Sequence, residues 1–197
     1  MPKFSKTERG AIADTLLKQG ERLFCEYGLR KVAVEEITKA AGIAKGSFYS
    51  FYASKEALYF DILTRCQRDM WQKMGVFLEE NAALPPRALV RAAMDFMFAL
   101  MREYPLIRRT DSETTAVLLR KLPKEVTDHH TGEDTEAVEM FLPYGVRFTR
   151  PLPVVAKAFQ LLYGAVTLLE MEEDGMAGQV LDVMISALIN ELVEEIQ

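Results

Sequence analysis

The apolar positions of the chain follow a helical period from its start. Ile12 and Leu16 lie one turn apart on the apolar face of a first predicted helix. Ser5 and Glu8 have the spacing of a capping box, which predicts where this helix begins. Gly28 follows the last periodic position and predicts where it ends. The first quarter of the chain therefore opens with one long amphipathic helix.

Two short helices and a glycine turn follow. Residues 34–41 have an apolar side, Gly42 supplies a tight turn, and a second short helix begins near residue 44. Ser54 is a predicted cap for a third helix over residues 55–80. A helix, a glycine turn and a helix form a helix-turn-helix unit, whose second helix can lie in the DNA major groove. An ordinary helical hairpin has the same pattern. DNA binding is favoured because residues 45–52 hold a lysine, two serines and four aromatic residues but no acidic residue.

The remaining periodic segments also predict helices, over residues 88–104, 111–122, 135–142 and 153–171, with a final helix near the C-terminus. Residues 153–171 are apolar around almost the whole circumference, so this helix should be buried on all sides. A second subunit is the simplest cover for the side that the chain itself leaves open. The predicted dimer interface comprises Leu162, Val166, Leu169, Leu181, Ile185, Leu188 and Leu192.

Composition and charge agree with a globular DNA-binding protein. The 197 residues are 49% hydrophobic and 27% charged, with a net charge of −5. The first 60 residues carry ten basic and seven acidic side chains, and the remainder carries 14 and 22, which orients a basic head towards a polyanion. With no signal peptide and no membrane-length apolar run, we expect a soluble cytoplasmic protein without a membrane partner. Cys25 and Cys66 are expected to be free thiols.

The stretch around the predicted turn resembles the DNA-binding domain of the TetR family, the tetracycline-repressor-like bacterial transcription regulators. The resemblance rests on Ile37, AGI at 41–43, GSFY at 46–49, Phe51-Tyr52 and SKEAL at 54–58, with FCEYG at 24–28 upstream. It implies an all-α fold: a three-helix helix-turn-helix head, residues 1–54, and a larger helical body for effector binding and dimerisation, residues 55–197. Two positions depart from the family's usual residues. Ala33 cannot cap a helix or touch a phosphate as Thr or Ser would, and Phe51 stands where His is frequent.

The predicted DNA contacts lie on and after the second motif helix. Lysine can donate to guanine O6 and N7, and the free amides at a helix start attract a phosphate. A residue without a side chain lets the backbone approach the groove, and a tyrosine hydroxyl can reach a phosphate. The predicted set, to which the resemblance points as well, is Lys45, Gly46, Ser47, Tyr49, Ser50 and Lys55. Phe48 is expected in the core.

The body is rich in soft apolar residues, which either fill its core or line an adaptable ligand pocket. The resemblance implies the pocket, and the candidate lining is Phe96, Met97, Leu100, Met101, Tyr104, Phe141, Tyr144, Phe159 and Tyr163. Lys124 to Asp134 includes His129 and His130 but no zinc-like spacing, so we expect a solvated loop and no metal.

These features together predict a homodimeric, ligand-responsive transcriptional regulator. It should be a repressor that binds a pseudo-palindromic double-stranded operator and is released by a small apolar or aromatic effector. The alternative is a DNA-binding architectural or cell-division regulator without an effector. No nucleophile-and-base arrangement or paired carboxylates appear, so we expect neither an enzyme nor a cofactor.

Overall fold

The computed structural model describes residues 5–126, 135–169 and 175–195, except for the side chains of residues 166–169. The described residues are helical, which confirms the predicted all-α class; Phe148 and Val193 form an isolated antiparallel bridge outside any strand. The helices are α1 (Lys6–Lys31), α2 (Val34–Ala40), α3 (Lys45–Phe48), α4 (Lys55–Glu80), α5 (Pro86–Glu103), α6 (Pro105–Arg109), α7 (Ser112–Lys121), α8 (Thr135–Glu139), α9 (Leu152–Leu169) and α10 (Ala177–Leu192), with a 3-10 turn at Leu142–Tyr144.

The predicted capping box begins α1, whereas Gly28, the predicted end, interrupts the helix before it ends at Lys31. The Ser5 hydroxyl accepts from the Glu8 amide at 3.2 Å, and the Glu8 carboxylate accepts from the Ser5 amide at 2.8 Å. These bonds complete the capping box and lower the pKa of Glu8. Gly28 has a φ of 80°, which breaks the regular helix three residues before its last turn closes at Lys31. The sequence reveals both features because each depends on residues that are close together in the chain.

The first compact unit contains α1–α3, α4 up to Arg68, and α6 and α7. Its core includes Leu16, Phe24, Ile37 and Phe48, all fully buried. Phe24 packs edge-on against Tyr59 of α4, with ring centroids 5.1 Å apart. The Tyr59 hydroxyl lies 2.9 Å from the Thr110 hydroxyl, and Thr110 itself donates to the Leu106 carbonyl at 2.7 Å. Tyr59 therefore donates to Thr110 and ties α6 to the three-helix head.

The second compact unit contains α4 from Asp69, α5 and α8–α10. Arg91 of α5 donates to Asp182 of α10 at 2.6 Å and to Asp95 at 2.9 Å. Arg87 donates to the Val193 carbonyl at 3.0 Å, just after α10 ends. These contacts fasten α10 to α5. No helix among the described residues combines the length and apolar character needed to cross a bilayer.

These units group the chain by packing, and α4 contributes to both of them. They differ from the predicted division after residue 54, because α6 and α7 pack with the head. The functional boundary between residues 1–54 and 55–197 stays a prediction.

The predicted dimer interface stays a prediction, but three of its residues already have cover. Leu162, Ile185 and Leu192 are buried inside the single chain, which leaves them little surface for a partner. Leu181 and Leu188 are half-buried. The side chains of Val166 and Leu169 lie outside the described residues, as do His129 and His130. Among the described side chains, the large apolar ones that α9 and α10 expose are Val154, Leu161, Val180 and Val183.

Candidate nucleic-acid interface

The helix-turn-helix unit forms as predicted. Gly42 takes a φ of 69°, a conformation that glycine adopts without a steric penalty, and turns the chain between α2 and α3. The Ile43 amide donates to the Thr38 carbonyl at 3.0 Å across this turn. Phe48 is fully buried in the head, as expected, and Tyr49 packs edge-on against its ring at 5.5 Å. These contacts fix the direction of the short second helix.

The second motif helix presents most of the predicted DNA-contacting residues to solvent. Lys45, Gly46, Tyr49 and Ser50 are exposed, and Ser47 is half-buried. A Cβ at Gly46 would have no neighbour within 4 Å, which leaves the backbone open to an approaching surface. The Ser50 hydroxyl already donates to the Ser47 carbonyl at 2.7 Å, so it would have to rotate to donate to a phosphate. DNA contact by these residues stays a prediction.

Lys45 has an acidic partner. Its ammonium is hydrogen-bonded and ion-paired with the Glu35 carboxylate, in the first turn of α2. This contact lowers the pKa of Glu35 and raises that of Lys45. Both side chains are more than half exposed, so the pair is open to solvent. Sequence reasoning missed Glu35, because the two residues are ten positions apart on different helices.

The Lys55 ammonium is bound within the chain itself, and a phosphate contact by this residue stays a prediction. The Nζ atom donates to the carbonyls of Leu29, Arg30 and Val32, at 2.8, 3.2 and 2.7 Å. An ammonium has three hydrogens, so these bonds use all of them. Lys55 closes the C-terminal end of α1 instead of facing outwards. Ser54 caps α4 as predicted, since its hydroxyl accepts from the Ala57 amide at 3.1 Å.

Arg9 joins α1 to the end of the second motif helix. Its guanidinium donates to the Ser50 carbonyl at 3.0 Å and lies 4.7 Å above the centre of the Phe51 ring. A positive charge over an aromatic face is electrostatically favourable. These contacts hold the basic start of α1 against the head. The guanidinium lies next to Phe51, the position at which the family that the sequence resembles frequently has histidine.

Tyr52 completes the support behind the motif. Its hydroxyl donates to Asp61 at 2.8 Å, and Asp61 also accepts from Arg65 at 3.1 Å. Burial, followed by the bond to Asp61, raises the pKa of Tyr52. The phenol therefore stays protonated and remains a donor at neutral pH. Phe51 and Tyr52 are both half-buried, so neither is wholly core nor wholly surface.

The candidate pocket residues fall in both compact units, and the pocket itself stays a prediction. Met97, Leu100, Phe141 and Phe159 are buried in the second unit, whereas Tyr104 belongs to the first. Phe96, Met101, Tyr144 and Tyr163 are half-buried, and the Tyr163 ring lies 5.0 Å from that of Phe98. An open groove of about 340 Å³ shares Phe96 with the predicted set; its lining is Gln72, Lys73, Val76, Phe77, Glu80 and Phe96.

Both cysteines are free thiols, as expected. Burial, followed by the charge of Glu21, raises the pKa of Cys25, so little of it is thiolate at neutral pH. Across the described residues, no three His, Cys, Asp or Glu side chains converge to hold a metal ion.

Residues 16–62 match the family model of the bacterial regulatory proteins of the tetR family. The chain is 35% identical over 81 residues to the HTH-type transcriptional repressor DhaR of a Mycobacterium species, which is 41% of each chain. It is 32% identical over 78 residues to the A-factor receptor protein of Streptomyces griseus, 40% of this chain and 26% of the relative. It is 26% identical over 98 residues to the nucleoid occlusion factor SlmA of Glaesserella parasuis, which is 49% of this chain and 47% of the relative. The chain thus spans less than half of each relative.

The whole fold also has a solved counterpart. A TetR family transcription regulator from Marinobacter aquaeolei superposes with a TM-score of 0.61 at 15% identity, over 97% of this chain and all of the other. At that identity the likeness establishes the fold alone. The sequence similarity is concentrated in the head, and the similarity in structure extends over nearly the whole chain. The head therefore matches the tetR family model over residues 16–62, and the fold resembles that of a solved TetR family transcription regulator.

Proposed function

We propose that the protein is a ligand-responsive transcriptional regulator that binds double-stranded DNA. The observation that carries the proposal is the exposed face of α3, where Lys45, Gly46 and Tyr49 stand on a helix without acidic residues. Its core residue Phe48 and the Gly42 turn hold that face rigidly outwards. A short helix presented in this way fits the major groove.

Groups that could bind phosphates lie around this helix and support the proposal. Tyr49 reaches outwards beside it, and the backbone amides at the start of α4 retain the positive end of the helix dipole. Arg9, beside Ser50 and Phe51, supplies a guanidinium that can take the place of a histidine at position 51. These groups would fix the orientation of the head while Lys45 contacts a base.

Dimerisation through α9 and α10 follows from their exposed apolar side chains. Val154, Leu161, Val180 and Val183 lie in water in the single chain, and apolar surface of this kind favours a self-complementary contact with a second copy. The two heads would then read a pseudo-palindromic operator. Release by a small apolar or aromatic effector is supported by the soft side chains of the second unit and by the similarity to a receptor protein.

Selection of bound DNA from a random pool tests the proposal. The expected result is a pair of inverted half-sites whose centres lie about 34–36 Å apart, or a multiple of that spacing. A pool that stays random after repeated selection would overturn DNA reading by this chain.

A DNA-binding cell-division or architectural regulator without an effector is the second candidate. The similarity to a nucleoid occlusion factor favours it. Screening the pure protein against a library of apolar and aromatic compounds by thermal shift separates the two. Stabilisation by a member of the library supports the effector-responsive regulator, and uniform failure across the library supports the second candidate.

A further inference from the structure

The ion pair between Glu35 and Lys45 is an unusual feature of a surface that should meet a polyanion. Glu35 lies in the first turn of α2, and Lys45 begins α3. Their side chains meet across the turn and are both more than half exposed. A carboxylate is therefore fixed beside the lysine that is placed to contact a base.

The Glu35 carboxylate changes the charge that the motif offers to DNA. Residues 34–52 carry two lysines and two glutamates, so the motif itself has no net charge. Glu36 is committed to the helix end, since its carboxylate accepts from the Ala33 amide at 2.7 Å. Glu35 compensates Lys45, which weakens the attraction of Lys45 for phosphates in general. Binding by this pair should therefore depend on which bases it meets more than on backbone charge.

Only certain base edges can donate a hydrogen bond to a carboxylate. In the major groove the hydrogen-bond donors are the exocyclic amines of cytosine and adenine, and Glu or Asp pairs with cytosine N4. Lysine pairs with guanine O6 and N7. An exposed ion pair is weakly held, so it can exchange for base contacts at little cost.

We propose that Glu35 is a specificity-determining residue that reads a cytosine while Lys45 reads a guanine, so that the pair recognises two base positions in each half-site. The inference rests on the proposed function, because it assigns a role within the same DNA interface. The juxtaposition of acceptor and donor carries it: the Glu35 carboxylate and the Lys45 ammonium lie side by side, and both are more than half exposed.

The test compares three proteins in the same selection from random DNA, followed by competition binding: wild type, Glu35→Gln and Glu36→Gln. Glu36→Gln is the matched control. It removes the same charge from the same helix turn, and glutamine can still accept from the Ala33 amide. Circular dichroism melts of all three confirm that each is folded.

Wild type should prefer cytosine at one position of each half-site by at least about fivefold. Glu35→Gln should lose that preference and keep the others, whereas Glu36→Gln should keep all of them. The inference is overturned if Glu35→Gln retains the wild-type preferences, or if Glu36→Gln loses the same position. Failure of the proposed function has a different signature, because wild type itself would then select no sequence.

Discussion

The Lys55 side chain supplies hydrogen bonds to the C-terminal end of α1, a helix far from it in sequence. Its ammonium binds three carbonyls at the end of α1, 23 to 26 residues earlier in the chain. Carbonyls at a helix end have no partner within the helix. A lysine placed there satisfies them and complements the helix dipole.

Replacing this lysine should destabilise the protein. Lys55→Met removes the three bonds while keeping most of the side chain's length, and we expect a loss of about 1.5–3 kcal/mol in the free energy of unfolding, typical of hydrogen bonds to a charged group. Urea unfolding measures it. Lys39→Met is the control: Lys39 is an exposed lysine in α2, and its replacement should change the unfolding free energy by less than about 0.5 kcal/mol. Equal stabilities of the two variants would contradict the assigned role of Lys55.

Asp111 gives a pH-dependent prediction at the same scale. Its carboxylate accepts from the Thr114 amide at 2.7 Å and caps α7, which lowers its pKa. A lowered folded-state pKa stabilises the fold above the unfolded pKa, near 3.9, and the contribution disappears as pH falls through the folded pKa. Asp111→Ala should therefore cost about 1 kcal/mol at pH 7.

The cost should shrink below pH 4, as urea unfolding at the two pH values would reveal. A pH-independent cost would show that the charge of the carboxylate is not what caps the helix.

Packing between α1 and α4 depends on a residue with no side chain. A Cβ at Gly20 would lie 2.9 Å from Leu58 Cδ2, closer than carbon atoms approach in real proteins, whereas a Cβ at Gly10 in the same helix would meet nothing within 4 Å. The same substitution should therefore have opposite effects at the two positions.

Gly20→Ala should lower the stability by about 1–3 kcal/mol, because it overpacks the head. Gly10→Ala should raise it by about 0.5–1 kcal/mol, because alanine favours the helix more than glycine. Thermal unfolding of both variants checks the contrast. Matching signs would mean that the contact between Gly20 and Leu58 does not limit the approach of the two helices.

Two adjacent leucines on α9 differ sharply in burial, and the exposed one belongs to the proposed dimer surface. Leu162 is 2% exposed and Leu161 is 65% exposed, although both belong to the same apolar segment. Leu162→Ala should cost about 2–5 kcal/mol of stability. Leu161→Glu combined with Val183→Glu, itself 67% exposed, should leave the fold intact and yield monomers in analytical ultracentrifugation. A dimer that survives both glutamates would place the interface elsewhere.

This helix also marks the limit of what the sequence predicts. The capping box at Ser5, the Gly42 turn and the burial of Phe48 were predictable because each is set by residues close in the chain. A helix that is apolar all round indicates burial on several sides, but not which side packs on its own chain, so the pattern alone did not separate buried Leu162 from exposed Leu161. The carbonyl partners of Lys55 and the pairing of Glu35 with Lys45 could not be predicted for a related reason. Each contact joins residues that are far apart in sequence and that only the folded chain brings together.

At the scale of the whole molecule, regulation requires that the second unit influence the head. Helix α4 runs from Lys55 to Glu80 and contributes to both units, so a ligand that displaces its second half acts on an element of the head. Two heads bind one duplex only when their recognition helices are spaced by a turn of DNA. A change in that spacing would release the operator.

The size of the effect is bounded by thermodynamics. A ligand releases DNA only to the extent that it binds the released state more tightly, and couplings of about 1–3 kcal/mol correspond to a change in affinity of about 5- to 150-fold. Linkage is reciprocal, so the operator must weaken ligand binding by the same factor. We therefore predict that an apolar or aromatic compound that stabilises the protein lowers its operator affinity within this range. Titrating the compound by calorimetry with and without saturating operator checks the reciprocity, with scrambled DNA as the control. Equal ligand affinities in the presence and absence of operator would mean that the compound's site is not coupled to the head.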